Sequence, residues 1–121
     1  MKFTEEHLWL RVEDGEDEIT VGLSSYAIEQ LGDPKYIELP EEGDVVSVDD
    51  PVVVIEGDDD AIDVLAPLDG EIAEVNTPLI DAPETLSEDA QGDGWLFKMS
   101  VEDTAALDEF MSEAAYQKFI R

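Results

Sequence analysis

The sequence predicts a mainly β domain with flanking helices (α+β), built as a flattened barrel or sandwich of two similar halves. Three observations support this prediction. The chain has 121 residues, a common size for one domain, and 43% of them are hydrophobic, enough for a single core. Short apolar runs alternate with Gly-, Pro- and Asp-rich turns. A pattern of Pro, Gly and alternating aliphatics begins at Pro40 and again at Pro67. We therefore treat 1–121 as one domain.

The N-terminal part predicts two strands and a helix. The strands and the turn between them span 6–12, 13–17 and 18–23. In the second strand the aliphatic side chains alternate, so they share one face. Ser24 or Ser25 can cap the helix that follows, and Gly32 ends it two residues before Pro34.

The middle of the chain contains an internal repeat, in which segment 40–52 matches segment 67–79. Each copy has Pro, Gly three residues on, an acid, an aliphatic, Val, then Asp or Asn, and a second Pro. Pro-x-x-Gly favours a tight turn, and the alternating aliphatics predict a strand with one buried face. Two such copies predict two β halves related by a pseudo-twofold axis.

A β-hairpin is predicted between the two copies. One strand begins at Val52, and the other ends near Ala66. The four residues Gly57–Asp60 are glycine and aspartate, which favour turns. They are therefore predicted to form an exposed tip.

Beyond the repeat, the sequence predicts a loop, a strand and a helix. Segment 81–94 is polar and rich in turn residues, so it is predicted to be a surface loop. In 95–101, alternate side chains from Trp95 to Val101 are apolar. A helix is predicted from Asp103 onwards, with a stripe at helical spacing that packs against the core. The stripe consists of Leu107, Phe110, Met111, Ala114, Ala115 and Phe119.

The charge balance excludes several classes of partner. Asp and Glu number 33 against six Lys and Arg, so the net charge is −27. Nucleic acid and anionic membranes would be repelled, and neither is expected as a partner. No apolar run reaches the ~18 residues of a membrane span, and the N-terminus does not resemble a secretory signal, so a cytoplasmic location is predicted. The acidity has two open interpretations: adaptation to a salt-rich cell, or a docking surface for basic partners.

Several segments together resemble the glycine cleavage system H-protein family, which carries a lipoyl group among the partner enzymes of that system. The resemblance implies a lipoyl-type (biotinyl-type) flattened β-barrel sandwich with two pseudo-symmetric halves and a C-terminal helix. The segments follow the family's order over nearly the whole chain: Glu6-His7-x-Trp9, Val21-Gly22-Leu23-x-x-Tyr26-Ala27-x-Glu29-Gln30-Leu31-Gly32-Asp33, Leu39-Pro40-x-x-Gly43-Asp44, Pro67-x-x-Gly70-Glu71-Ile72-x-Glu74-Val75-Asn76 and Gly92-x-Gly94-Trp95-Leu96-x-Lys98.

The resemblance also implies where the lipoyl group would be attached. The family carries it on a hairpin lysine, within a string like Glu-Ser-x-Lys-x-x-x-Asp. The equivalent string here is Glu56-Gly57-Asp58-Asp59-Asp60-Ala61-Ile62-Asp63, and Asp59 falls where the lysine belongs. A carboxylate cannot form an amide with lipoic acid, so no cofactor is expected. All lysines of the chain are predicted to lie away from the tip, and Lys35 is predicted to lie just before a strand. These lysines are Lys2, Lys35, Lys98 and Lys118.

No catalytic or metal-binding residue is predicted, and the chain is not expected to be an enzyme. His7 is the only histidine, and a structural or surface role is expected for it. The acids of the tip fit a solvated turn better than a cation site, because their spacing does not match a calcium loop. There is no cysteine, which excludes disulfides and thiol chemistry.

Three hypotheses about function follow. The first is a non-lipoylated H-protein-like module that acts by protein–protein contact, as a regulator, scaffold or decoy. Its partners would be glycine cleavage or lipoate-handling proteins, such as the glycine decarboxylase or the aminomethyltransferase, and basic surfaces would suit its charge. The first alternative is a genuine lipoyl-carrying H-protein with an unexpected attachment site. The second alternative is an acidic domain that responds to metal or salt.

Overall fold

The computed structural model describes residues 2–5, 7–12, 18–89, 92, 94–101 and 109–120. The helices and strands within them follow in chain order: β1 (Lys2–Phe3), β2 (Leu8–Val12), β3 (Glu18–Leu23), α1 (Ser25–Leu31), β4 (Pro34–Glu38), β5 (Val45–Val46), β6 (Pro51–Gly57), β7 (Ala61–Leu65), β8 (Gly70–Val75), α2 (Pro78–Asp81), α3 (Thr85–Glu88), β9 (Phe97–Ser100) and α4 (Glu113–Phe119). The turn predicted at 13–17 lies outside the described residues.

The strands form two antiparallel sheets. The larger has the order β1-β2-β3-β9-β8-β5, and the smaller has the order β4-β6-β7. Their inner faces contribute to one cluster of buried side chains, which includes Leu10 and Val21 of the larger sheet and Ile37 and Ile55 of the smaller one. Within the described residues the sheets do not close into a barrel, so the predicted flattened sandwich is confirmed.

A smaller buried cluster joins the N-terminus to α4. It contains Phe3, Trp9 and Tyr116, and the rings of Phe3 and Tyr116 stack with centroids 4.5 Å apart. Trp9 lies opposite Gly22 across β2 and β3. A Cβ atom on Gly22 would come within 2.2 Å of the Trp9 ring, so only glycine leaves room for this indole.

Helix α1 begins and ends as the sequence predicts. The Ser24 hydroxyl accepts a hydrogen bond from the amide of Ala27, which caps the helix. Gly32 ends it with a φ of 82°, a conformation that glycine adopts without steric cost. The helix buries Ala27, Ile28 and Leu31 and thereby packs against the sandwich.

The two copies of the repeat pair with each other through β5 and β8. Strand β5 has only two residues and lies at the end of its sheet, so Val45 is 80% exposed. The predicted buried face of the first copy is therefore wrong, because an edge strand this short has a neighbour on one side only. The copies also diverge after their second proline, since Pro51 begins β6 and Pro78 begins α2.

Two further predictions are corrected. Segment 81–94 is not simply a surface loop, because it includes α3, and Leu86 is completely buried. The sequence signal was weak, because Leu86 stands alone among polar residues. The strand predicted just after Lys35 begins earlier, at Pro34, and forms β4, which pairs with β6. Lys35 therefore lies within a strand and not before one.

The C-terminal helix is shorter than predicted. It begins at Glu113 after a Ser112 cap, because Met111 is held in an extended bridge with Phe3. The predicted packing stripe is confirmed only in part within the described residues. Phe110 and Met111 pack partly buried against the two core clusters, although both precede α4. Ala114, Ala115 and Phe119 are exposed, and Tyr116 is the buried side chain of α4. The predicted start at Asp103 and the stripe residue Leu107 lie outside the described residues. No helix in the described part of the chain is long and apolar enough to cross a membrane.

Candidate functional site

The hairpin of β6 and β7 places Gly57–Asp60 at its tip, as the sequence predicts. Glu56 and Ala61 are the last paired residues, and the amide of Gly57 donates to the carbonyl of Asp60 at 2.9 Å, which closes the turn. The side chains of Asp58, Asp59 and Asp60 are exposed. The string 56–63 thus presents its central acids together at one end of the smaller sheet, and Asp63 follows on β7.

Main-chain hydrogen bonds hold this tip against the end of α1. The amide of Asp58 donates to the carbonyl of Asp33 at 3.1 Å, and the amide of Asp59 donates to the carbonyl of Leu31 at 3.1 Å. Gly57 approaches the same segment closely, since a Cβ atom there would lie 2.4 Å from the Leu31 carbonyl oxygen. These backbone bonds hold the tip without the side chains of Asp58 and Asp59, while Oδ1 of Asp60 accepts a further hydrogen bond from the amide of Ala61 at 2.8 Å.

The Asp59 carboxylate lies beside the C-terminal end of α1. A Cβ atom on Gly32 would be 2.8 Å from Asp59 Oδ2 and 3.1 Å from its Cγ. The C-terminal end of a helix carries partial negative charge on its last carbonyl groups, which favours cations and disfavours anions. No basic residue lies in the last turn of α1. Position 59 is thus electrostatically better suited to a cation than to the carboxylate it has.

Lys35 lies next to the tip, which sequence analysis did not predict. Its Nζ is 3.9 Å from Oδ1 of Asp58, and the two side chains are 59% and 55% exposed. Lys98, by contrast, lies in β9, with its Nζ 3.5 Å from Oε2 of Glu74. Lys2 and Lys118 lie in β1 and α4. The proximity of Lys35 to the tip follows from the pairing of β4 with β6, which a short polar segment does not reveal.

A groove of about 340 Å³ lies beside the tip between α1 and α3. Ile28 and Leu86 provide its apolar surface, and Glu29 and Asp33 are the acids that line it. The groove and the tip both adjoin Gly32, which lines the groove and lies beside the Asp59 carboxylate. Leu86 is the residue that sequence analysis missed here, because it was assigned to a loop.

His7 has the structural role that the sequence predicts. Its Nδ1 is 2.8 Å from the hydroxyl of Tyr116, and its ring lies 4.8 Å from that of Tyr26. The Tyr116 hydroxyl is also 2.7 Å from Oγ of Ser24. Burial raises the pKa of the Tyr116 phenol above its ordinary value of 10.0, and the hydrogen bond with Ser24 opposes this rise. His7 thus connects the N-terminal strands to α4.

The side chains at the tip do not fit a lipoyl group. Attachment requires an amine that can form an amide with the carboxyl group of lipoic acid, and Gly57–Asp60 offers three carboxylates and no amine. The amine beside the tip belongs to Lys35. Among the described residues, no three His, Asp or Glu side chains form a group that could hold a metal ion.

Comparisons with known proteins agree on one family. The family model for the glycine cleavage H-protein matches residues 1–121. The chain is 44% identical over 118 residues to the glycine cleavage system H protein of Bartonella quintana, covering 98% of this chain and 95% of that protein. It is 45% identical over 118 residues to the glycine cleavage system H protein of Thermotoga maritima, covering 98% and 94%.

A solved structure agrees with this assignment. The crystal structure of a glycine cleavage system H protein from Mycobacterium marinum is similar with a TM-score of 0.88 and 32% identity. The match covers 98% of this chain and 94% of that one. The sandwich, the hairpin and the sequence therefore lead to the same conclusion: this chain belongs to the glycine cleavage H-protein family.

Proposed function

We propose that this chain is an H-protein-family docking module that contacts glycine cleavage or lipoate-handling proteins and carries no lipoyl group at its hairpin tip. The observation behind the proposal is Asp59, which stands at the tip in the position that we assign to the family's attachment lysine. Glu56 and Asp63 flank it in register with the family's string. The module would act as a regulator, scaffold or decoy, in the predicted cytoplasmic location.

The proposal has two halves: the tip carries no lipoyl group, and the chain docks onto partner proteins. Asp59 supplies a carboxylate where amide formation needs an amine, so the tip has no attachment atom. The backbone bonds from Asp58 and Asp59 to the α1 end keep the tip in place all the same. A partner that recognises the shape of the tip would therefore bind a tip that has no lipoyl group attached.

The mass of the intact protein tests the first half. The chain is co-expressed with a lipoate ligase and lipoic acid, and its mass is measured. We expect the unmodified mass, because residue 59 cannot be acylated at nitrogen. Asp59→Lys is the matched variant, and modification of it alone would show that ligase and lipoic acid were available. A wild-type mass raised by one lipoyl group would overturn the proposal.

Binding to candidate partners tests the second half. The purified chain is immobilised, and the glycine decarboxylase and the aminomethyltransferase of the same host are passed over it. The docking proposal expects measurable binding to at least one of these or to a lipoate ligase. Absence of binding to every one of them, with a lysine-bearing H protein as positive control, would overturn it.

A second candidate function is a true lipoyl carrier that uses Lys35. The supporting observation is the 3.9 Å separation between Lys35 Nζ and Asp58 Oδ1, which brings one exposed amine to the tip. If the wild-type mass rises, Lys35→Arg should abolish the increase and Lys118→Arg should not. A mass increase that survives Lys35→Arg would reject Lys35 as the site.

A further inference from the structure

The outer face of the smaller sheet combines aliphatic and acidic side chains. We define this outer face by Tyr36 and Glu38 of β4, Val54 and Glu56 of β6, and Asp63 of β7. Glu38 lies opposite Val54, and Val54 lies opposite Asp63, so one row across the sheet reads acid, aliphatic, acid. Tyr36 is 52% exposed, and Val54 is half-buried outside the core cluster.

A groove of about 400 Å³ continues this outer face at the end of β6 that is far from the tip. Val54 and Glu38 belong both to the outer face and to the groove. Its other apolar lining residues include Leu39, Pro40, Val46, Pro51 and Val52, and the acids Glu41 and Asp44 also line it. The groove is therefore lined by apolar and acidic side chains together.

None of the residues that define the outer face or line the groove is basic. Lys35 is on the same strand, but its amine is placed at Asp58 of the tip. Neighbouring strands are about 4.8 Å apart, so Glu38 and Asp63, two strands apart, are separated by roughly 10 Å. That spacing applies to the backbones, and among the described residues neither acid belongs to a group of three side chains that could hold a metal ion.

We propose that the outer face and its groove form a docking surface for a protein segment in which aliphatic side chains are flanked by lysine or arginine. The aliphatic groups would contact Val54 and the groove, and the basic groups would pair with Glu38 and Asp63. A second copy of this chain would bring the same acids into contact, and a net charge of −27 opposes that. The inference rests on the proposed function, for which it names a surface and a partner chemistry.

Two synthetic peptides probe this surface in an NMR titration of the isotope-labelled chain at 0.15 M NaCl. One alternates lysine with leucine, and the other alternates lysine with serine at the same length and charge. We expect the lysine–leucine peptide to shift the amide resonances of 36–38, 52–54 and 63. Binding of both peptides with equal affinity would overturn the inference, because it would show general attraction to an acidic protein.

Three variants locate the contact. Val54→Ser should weaken binding of the lysine–leucine peptide about fivefold, since roughly 1 kcal/mol of apolar contact is removed. Glu38→Gln and Asp63→Asn should each weaken it by a similar factor. Glu29→Gln, an exposed acid on α1 with the same change of charge, is the control and should change the affinity less than about twofold.

The two charge variants keep the test valid if Val54→Ser does not fold. An equal effect of Glu29→Gln and Glu38→Gln would overturn the inference. The same variants in the partner-binding experiment separate this inference from the proposed function. If the glycine cleavage proteins bind the wild type and all variants equally, the proposed function stands and the docking surface lies elsewhere.

Discussion

The hydroxyl of Tyr116 lies 2.8 Å from Nδ1 of His7, although the two residues are 109 positions apart in the chain. The same hydroxyl is 2.7 Å from Oγ of Ser24, which caps α1. One phenol therefore links the N-terminal segment, the start of α1 and the C-terminal helix. Within α4 itself this link takes the place of the predicted apolar stripe, of which Phe110 and Met111, before the helix, pack against the core.

Tyr116→Phe should lower the free energy of unfolding by about 1–2 kcal/mol, because Ser24 loses a buried hydrogen-bonding partner and His7 loses a partly buried one. The ring stacking on Phe3 is retained, so the change isolates the hydroxyl. Urea unfolding measures the effect. Tyr36→Phe, at an exposed site, is the matched control and should stay within about 0.5 kcal/mol of wild type. Equal effects of the two changes would contradict the role of the link.

Stability should also fall at alkaline pH because of Tyr116. Burial raises the pKa of its phenol above 10.0 in the folded chain, so between pH 10 and that raised value the unfolded chain has released a proton that the folded chain retains. The unfolded state then binds fewer protons, and stability decreases as pH rises through this window. Unfolding midpoints from pH 8 to pH 11 test this. Tyr116→Phe should show a shallower decrease than wild type, and an unchanged slope would refute the assignment.

Changing the charge at residue 59 should stabilise the chain. Asp59→Asn removes an anion from the C-terminal end of α1, and Asp59→Lys places a cation there. Each step should add about 0.3–1 kcal/mol at low ionic strength, so that wild type is the least stable of the three. Unfolding in 10 mM and 1 M NaCl measures this. The differences in unfolding free energy should shrink at high salt. A lysine variant that is less stable than wild type at both salt concentrations would argue against the helix-end interaction.

Gly57→Ala should displace the tip, because the added Cβ would meet the Leu31 carbonyl oxygen at 2.4 Å. We expect a loss of about 1–3 kcal/mol and faster hydrogen exchange at the amides of Asp58 and Asp59. Asp58→Ala is the control, since it removes only an exposed ion pair and should cost less than about 1 kcal/mol. If the two variants have the same amide exchange rates and the same free energies of unfolding, the close contact with α1 does not hold the tip.

Salt should stabilise the chain by screening and not by filling a site. With a net charge of −27, the midpoint of thermal unfolding should rise smoothly with NaCl concentration. MgCl₂ should produce no step near one equivalent, since no metal-binding group of three side chains occurs among the described residues. A saturable, stoichiometric step in a Mg²⁺ or Ca²⁺ titration would instead support the hypothesis of a metal-responsive domain.

Most of the sandwich was predictable because its signals are local. Each signal spans only a few residues. The signals are the alternating aliphatic side chains of β3, the serine cap and terminal glycine of α1, and the turn residues of the β6–β7 hairpin. The family resemblance extended these to the whole fold, and membership of a family of lipoyl carriers confirms the prediction that the chain is not an enzyme.

The errors concern features that depend on tertiary contacts. The bounds of strand β4 depend on its pairing with β6, and α3 buries the single residue Leu86. Tyr116 interrupts the apolar spacing that predicted a different buried face for the C-terminal helix. For the same reason the proximity of Lys35 to the hairpin tip could not be seen in the sequence. The identity of Asp59 could be, because it depends only on the order of residues in the hairpin string.

The tip is held by the amides of Gly57, Asp58 and Asp59, and amides are common to every residue type but proline. Side-chain exchange at position 59 therefore leaves the scaffold folded. In evolutionary terms, the residue type at position 59 and the scaffold can vary separately, because exchanging that side chain leaves the amide hydrogen bonds of the tip unchanged.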